Sequence, residues 1–230
     1  MGISAGADVV EDGLVFCVDA ASKRSYPGTG TVWTDLAGEN DGTLTNGPTF
    51  SSDNGGSIVF DGSDDYVENT TNDFAFTNSF TVCVWVKAHT VGNWDRIVDY
   101  SHFASPRNGW FIGWYSSSGK YEFRLDTIGG GDGSLVSNTI VTNEWNCICG
   151  VYDSSTNSAV LYENSILVDS QTTSGTEAYS SVTKLGIGAR LNPSPTEYFD
   201  GDISNILIHN SALTADEVLQ NYNATRGRYR

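Results

Sequence analysis

Residues 79–87 read SFTVCVWVK. Apolar Phe80, Val82, Val84 and Val86 alternate with Thr81, Cys83, Trp85 and Lys87. A repeat of two, carried by β-branched and aromatic side chains, predicts a strand buried on at least one face. It turns the Phe80–Val86 set toward a core and Cys83 and Trp85 the other way, as the central strand of a two-sheet domain. Working outward, further strands are expected at 14–18, 57–60, 96–100, 109–115, 144–152, 158–168, 184–189 and 199–209. Turn clusters such as YPGTG, NGPTF, DGSDD and DSSTN separate them. Trp110, Ile112 and Trp114 share one strand face and read as core. Tyr121, Phe123 and Leu125 alternate with Glu122, Arg124 and Asp126, which predicts a half-exposed strand. The one convincing helix runs from Ala215 to about Asn223. Thr214 and Glu217 form a capping box, and Leu213 and Val218 a hydrophobic staple.

Composition bounds the rest. The 230 residues include 25 glycines and 5 prolines, with Ser, Thr and Asn between short apolar runs, the texture of a turn-rich β domain. A single domain over 1–230 is expected, with a short arm at 1–10 and a basic tail at 224–230. Net charge is −16, from 28 acidic and 12 basic side chains, so nucleic acid is a poor partner. No apolar run has the length that membrane insertion needs. The opening MGISAGADVVEDG lacks a basic segment followed by an apolar one, so no secretory signal is expected. Arg226, Arg228 and Arg230 read either as a solvated end or as a docking tail for an acidic partner surface.

Six segments carry a resemblance. They are GLVFCVDA (13–20), DLAGENDGTL (35–44), SIVFDGSDDYV (57–67), SFTVCVWVK (79–87), EWNCICGVYDSSTNS (144–158) and FDGDISNILIHNSALTADEVLQNY (199–222). In this order they resemble the laminin-G-like, concanavalin A-like lectin/glucanase superfamily. The resemblance implies an all-β fold, a jelly-roll sandwich of two antiparallel sheets with one short C-terminal helix. It also implies glycan or protein binding, often with one structural calcium. The segment 9–36 is similar to domains encoded by tailed bacteriophages and marine bacteria, which implies a virion surface or another extracellular setting.

The enzyme branch of that superfamily sets its carboxylates on one strand as E-x-D-x-x-E or E-x-D-x-E, and neither string occurs here. Asp61, Asp64 and Asp65, and the pair Asp200 and Asp202, sit at strand ends and read as structural or metal-related. His89, His102 and His209 lie in separate segments without ligand spacing. The chain is therefore expected to be a non-enzymatic lectin-like protein. The leading expectation is a phage virion component, such as a capsid decoration, fibre or tail appendage. It would contact other virion proteins or host glycans, and it could form a homo-oligomer. A bacterial carbohydrate-binding module is the alternative, and a glycoside hydrolase is third. For calcium the resemblance points to Asp19, Asp35, Asn40, Asp41 and Asp200. Asx-turn chemistry explains the 35–41 residues equally well, and Ser204 stands where many relatives carry Asp. For glycan, Trp94 in the loop VGNWDR is the exposed aromatic, with Asn93, Asp95 and Arg96 beside it and Asp132 on the far wall. Similarity to a pentraxin strand implies Cys83 opposite Cys149, with Cys147 as the rival partner and Cys17 unpaired. Four cysteines allow three full pairings, and four free thiols remain the alternative.

Overall fold

The computed structural model describes residues 8–70, 73–103, 107–128, 133–138, 142–174, 176–177 and 182–229. In chain order the strands are β1 (Leu14–Asp19), β2 (Val32–Trp33), β3 (Gly42–Thr45), β4 (Thr49–Ser51), β5 (Ser57–Asp61), β6 (Tyr66–Asn69), β7 (Phe80–Ala88), β8 (Arg96–His102) and β9 (Asn108–Trp114). There follow β10 (Tyr121–Ile128), β11 (Gly133–Val136), β12 (Asn146–Asp153), β13 (Ser158–Glu163), β14 (Ile166–Thr172), β15 (Thr176–Glu177), β16 (Leu185–Ile187), β17 (Asp200–His209) and the helix α1 (Ala215–Thr225). Among the described residues they build two antiparallel sheets. The first runs β14-β13-β12-β7-β17-β5-β4, with β1 also paired to β17. The second runs β11-β10-β9-β8-β16-β6-β3-β2, with β15 beside β10. This is the two-sheet jelly roll with one short C-terminal helix that the resemblance implies.

β7 lies between β12 and β17 and is buried on both faces. Phe80, Val82, Val84 and Val86 join the main core between the sheets. Full burial of a side chain of this size contributes about 1.5–3 kcal/mol. Trp110, Ile112 and Trp114 of β9 meet them from the opposite sheet, as expected of their shared face. The outer face of β7 belongs to a second, smaller core. There Cys83 and Cys149 meet Val10, Leu207, Leu213 and Val218. The staple residues of α1 thus close over the outside of the first sheet. The capping box at Thr214 and Glu217 fixes the start of the helix, which extends two residues past the expected end.

The terminal segments are tied down by the same face. The backbone N–H of Val10 donates to Asn221 at 2.7 Å, and Gln220 donates to the Asp8 carbonyl. Cys83 and Cys149 are direct partners across β7 and β12 and are joined by a disulfide. Cys17 and Cys147 are free thiols, both pushed up to about 12, chiefly by burial. Within the basic tail, Arg228 turns back onto the domain. Arg228 donates to both carboxylate oxygens of Asp19 at 2.7 and 2.8 Å.

One expectation is corrected. The Glu122, Arg124, Asp126 face of β10 is not half-exposed, for Glu122 and Asp126 are buried. The face carries its own counter-charge: Arg124 contacts Asp126 at 2.6 Å and Glu122 at 3.6 Å. Burying two carboxylates without that pairing would be prohibitive.

The sheets approach so closely at Gly150 of β12 that a Cβ there would lie 2.4 Å from the ring of Phe123 on β10. Gly150→Ala is expected to lower stability by about 1–3 kcal/mol. Urea unfolding checks this, and an unchanged midpoint would show that the sheets can part without cost.

Candidate functional site

The outer face of the second sheet holds a cavity of about 260 Å³. It is lined by Trp94, Arg96, Phe103, Arg107, Phe111, Arg124 and Glu197. Three neighbouring strands supply its floor, and cross-strand register brings the charges together. Asp99 of β8 stands opposite Phe111 of β9, which stands opposite Arg124 of β10. Inward neighbours Val98, Trp110, Ile112 and Phe123 are core, so alternation turns this polar row outward.

Arg96 organises the cavity. Its side chain is 1% exposed, and Nε donates to Asp99 at 3.2 Å while Nη2 meets Glu197 at 3.0 Å. Nη1 donates to the Trp94 carbonyl. The guanidinium lies 3.7 Å from the centre of the Phe111 ring, a cation–π contact. Glu197 also receives Arg190 at 3.2 Å within the 190–199 loop, and its contact with Arg96 ties that loop to β8. The backbone N–H of Arg96 donates to the Glu197 carbonyl at 2.9 Å. Trp94 and Glu197 both hold positive φ, 69° and 57°. Side-chain-bearing residues seldom adopt this conformation, and such outliers concentrate where a site fixes its geometry.

At the mouth, Phe103 is exposed and carries two guanidiniums. Arg107 lies 3.9 Å and Arg190 4.8 Å from its ring centre. Arg96, Arg124 and Arg190 each have a carboxylate partner. Arg107 is exposed and has none among the described residues. The electrostatics lean further toward positive charge as pH falls. Asp99 is pushed up to about 6, first by burial, against the pull of Arg96 and the Ser101 hydrogen bonds. Burial raises Glu122 as well, against the Ser134 hydroxyl and Arg124.

Of the residues expected to bind glycan, the cavity brings together Trp94 and Arg96. Asn93 is exposed outside it. Asp95 is raised by burial and accepts from the backbone of Asn93 within its own loop. Asp132 lies outside the described residues. Sequence reading missed Phe103, Arg107, Phe111, Arg124 and Glu197. The signal available for Arg124 was the opposite charges spaced two apart on β10, which pair on one strand face.

The five calcium candidates do not form one cage. Both oxygens of Asp19 are taken by Arg228. Asp35 accepts the backbone N–H groups of Cys17, Ala37 and Asn40. Asp41 accepts that of Asp35. Asp200 faces His89 and Thr90. Ser204 donates to the Gly56 carbonyl and accepts from Tyr229. The acidic loop is held by turn hydrogen bonds, so these residues do not fit a shared calcium. Asp61, Asp64 and Asp65 bring carboxylate oxygens within 4.8 Å of one another. Burial raises Asp65, with Asp61 adding to the shift.

Comparison with known proteins adds a fold-level context. The chain is similar to the binding domain of Paraclostridial Mosquitocidal Protein 1, at 16% identity and a TM-score of 0.72, over 93% of this chain and 52% of that one. It is similar to the binding domain of botulinum neurotoxin DC in complex with SialylT, at 14% identity and 0.70, over 94% and 52%. It is also similar to Trypanosoma rangeli sialidase in complex with the inhibitor DANA, at 14% identity and 0.69, over 97% and 34%. The chain thus spans about half the length of the toxin binding domains and about a third of the sialidase. No curated protein matches it. Residues 61–219, more than half of the chain, match the family described as the concanavalin A-like lectin/glucanases superfamily. With that match and the two-sheet sandwich, the chain belongs to the concanavalin A-like lectin/glucanases superfamily.

Proposed function

We propose that this is a non-enzymatic, lectin-like binding domain whose cavity takes a carboxylated saccharide. One observation carries the reading. Among the described residues Arg107 has no counter-charge, at the mouth of a cavity whose other arginines are paired, on a chain of net charge −16. Stacked on Phe103, it is desolvated on one face and free to grip a carboxylate in two-point fashion. Trp94 supplies an aromatic wall for the sugar ring.

Binding is favoured over hydrolysis by the pairing of the carboxylates. Glu122 and Asp126 are buried and share the guanidinium of Arg124, at 3.6 and 2.6 Å, so neither is presented to a glycosidic bond as an unpaired acid or base. The proposed setting is a phage particle surface, a reading supported by the resemblance of residues 9–36 to phage-encoded domains. Recovery of the chain from cell lysate but not from density-purified particles would remove that setting and leave the binding site standing.

Arg107→Ala is expected to weaken binding of sialyllactose or a hyaluronan tetrasaccharide by roughly 10- to 100-fold, the worth of one charge-assisted pair. Calorimetry against lactose as the neutral control checks it. Equal affinity of variant and parent would refute the site. Affinity for the same acidic probes is expected to tighten between pH 7.5 and 5. Asp99 takes up a proton as pH falls through its raised pKa, and Arg96 loses one of its two carboxylate partners while the ligand carboxylate stays ionised. Asp99→Asn is expected to flatten that profile. A profile that weakens toward low pH would contradict the assignment.

A further inference from the structure

On the opposite side of the sandwich, over the outer face of the first sheet, four aromatic rings stand in a row. Trp145 and Tyr229 have ring centres 4.8 Å apart. Tyr229 and Trp85 stack at 4.0 Å, and Trp85 and Tyr222 at 5.5 Å. Two open depressions, of about 220 and 420 Å³, flank this row. Trp145 and Tyr229 line both, so they form the ridge between them.

The rings are held rigidly. Trp85 donates its indole N–H to Thr225 at 2.8 Å. Trp145 donates to Asn54 at 3.1 Å, and the Tyr229 hydroxyl bonds Ser204 at 2.9 Å. Every ring polar atom among these three is thereby used internally. Trp85 is buried with Tyr222 and Tyr229 stacked on it, and Lys87 lies 5.4 Å from the centre of the Trp145 ring, so the partly exposed Trp145 and Tyr229 form the accessible part of the ridge, in a fixed arrangement. The rim offers the reverse. Asn143, Glu144 and Arg226 are exposed and line the depressions. Among the described residues their side chains make no hydrogen bond or ion pair; Arg226 has only a ring contact, 5.6 Å from the centre of Tyr222.

We propose that this ridge is a second saccharide-binding site, specific for neutral sugars and separate from the charged cavity. The lining decides the ligand class. Besides the four aromatics, both depressions are walled wholly by Asn, Glu, Lys and Arg. Among the described residues lining them there is no aliphatic side chain to seat an apolar peptide anchor. A sugar ring matches that pairing, since its C–H face lies on an aromatic ring while its hydroxyls donate and accept at the edge. Glu144 and Arg226 bring opposite charges to the rim, so the surface has no net preference for an anionic ligand, unlike the cavity around Arg107.

The test uses the full chain and four neutral probes: cellotriose, maltotriose, mannotriose and N-acetylchitotriose. At least one is expected to bind, followed by calorimetry and by quenching of tryptophan emission. Trp145→Ala is expected to weaken it at least tenfold. The double variant Asn143→Ala/Glu144→Gln, confined to exposed side chains, is expected to weaken it several-fold with unchanged thermal unfolding. Arg107→Ala should leave neutral binding intact, and Trp145→Ala should leave acidic binding intact, so the two sites fail independently. Absence of binding by all four trisaccharides at millimolar concentration overturns the proposal. So does binding that survives both ridge variants. Capture by an immobilised peptide library through Trp145, with no saccharide bound, would assign the ridge to a protein partner instead.

Discussion

The structure depends on the need to cover β7 twice. Its inner face has the opposite sheet as partner. Its outer face presents Cys83, Trp85 and Thr81, and a two-layer sandwich has no third layer to offer. The chain supplies one from its own extremities. Val10, Leu213 and Val218 cover one end of the strand, and Tyr222 and Tyr229 cover Trp85. Thr81 receives the N–H of Leu213 and donates to the Ser211 carbonyl, so the covering segment is also hydrogen-bonded to the strand. Arg228 on Asp19 then closes the layer. The capping box, the staple and Arg228, which look unrelated in sequence, answer one packing requirement.

The charged cavity follows a different rule, that buried charge must be paired. Arg96 is almost wholly removed from water, yet its donors meet two carboxylates and a carbonyl, and its flat face meets Phe111. A lysine could not satisfy that set, having no planar fork and no face to stack. Because Arg96, Arg124 and Arg190 are occupied in this way, they shape and stiffen the cavity rather than leave it attractive to anions. The charge proposed to attract a ligand is Arg107, which has no carboxylate partner among the described residues. Structure and proposed recognition are thus divided among arginines that the sequence lists without distinction.

Legibility tracked the range of the interaction. Alternation made the inner face of β7 and the Trp110, Ile112, Trp114 face readable, because period two is a local property of the strand. The helix start was readable for the same reason, its cap spanning four residues. β10 misled because Glu122, Arg124 and Asp126 look solvated in isolation, and only their mutual pairing makes burial possible. Trp94 was found as a loop aromatic. Phe103, Arg107 and Glu197 were not, since they reach one cavity from loops distant in sequence. The calcium candidates were suggested by residue type and resemblance. What separates a cation cage from a turn is the direction of nearby N–H groups, and composition carries no such direction.

The docking of both chain extremities on one sheet has a mechanical consequence. Val10 and Tyr229 lie against the outer side of the first sheet, and the cavity around Arg107 opens from the outer side of the second. Tension applied through either extremity would be borne by the antiparallel ladder of β1, β17 and β7, whose hydrogen bonds run side by side along Leu14–Asp19 and Asp200–His209. Load in that direction shears many bonds together and leaves β8, β9 and β10 outside the force path. A domain built so can be pulled from one side while the cavity on the other keeps its shape.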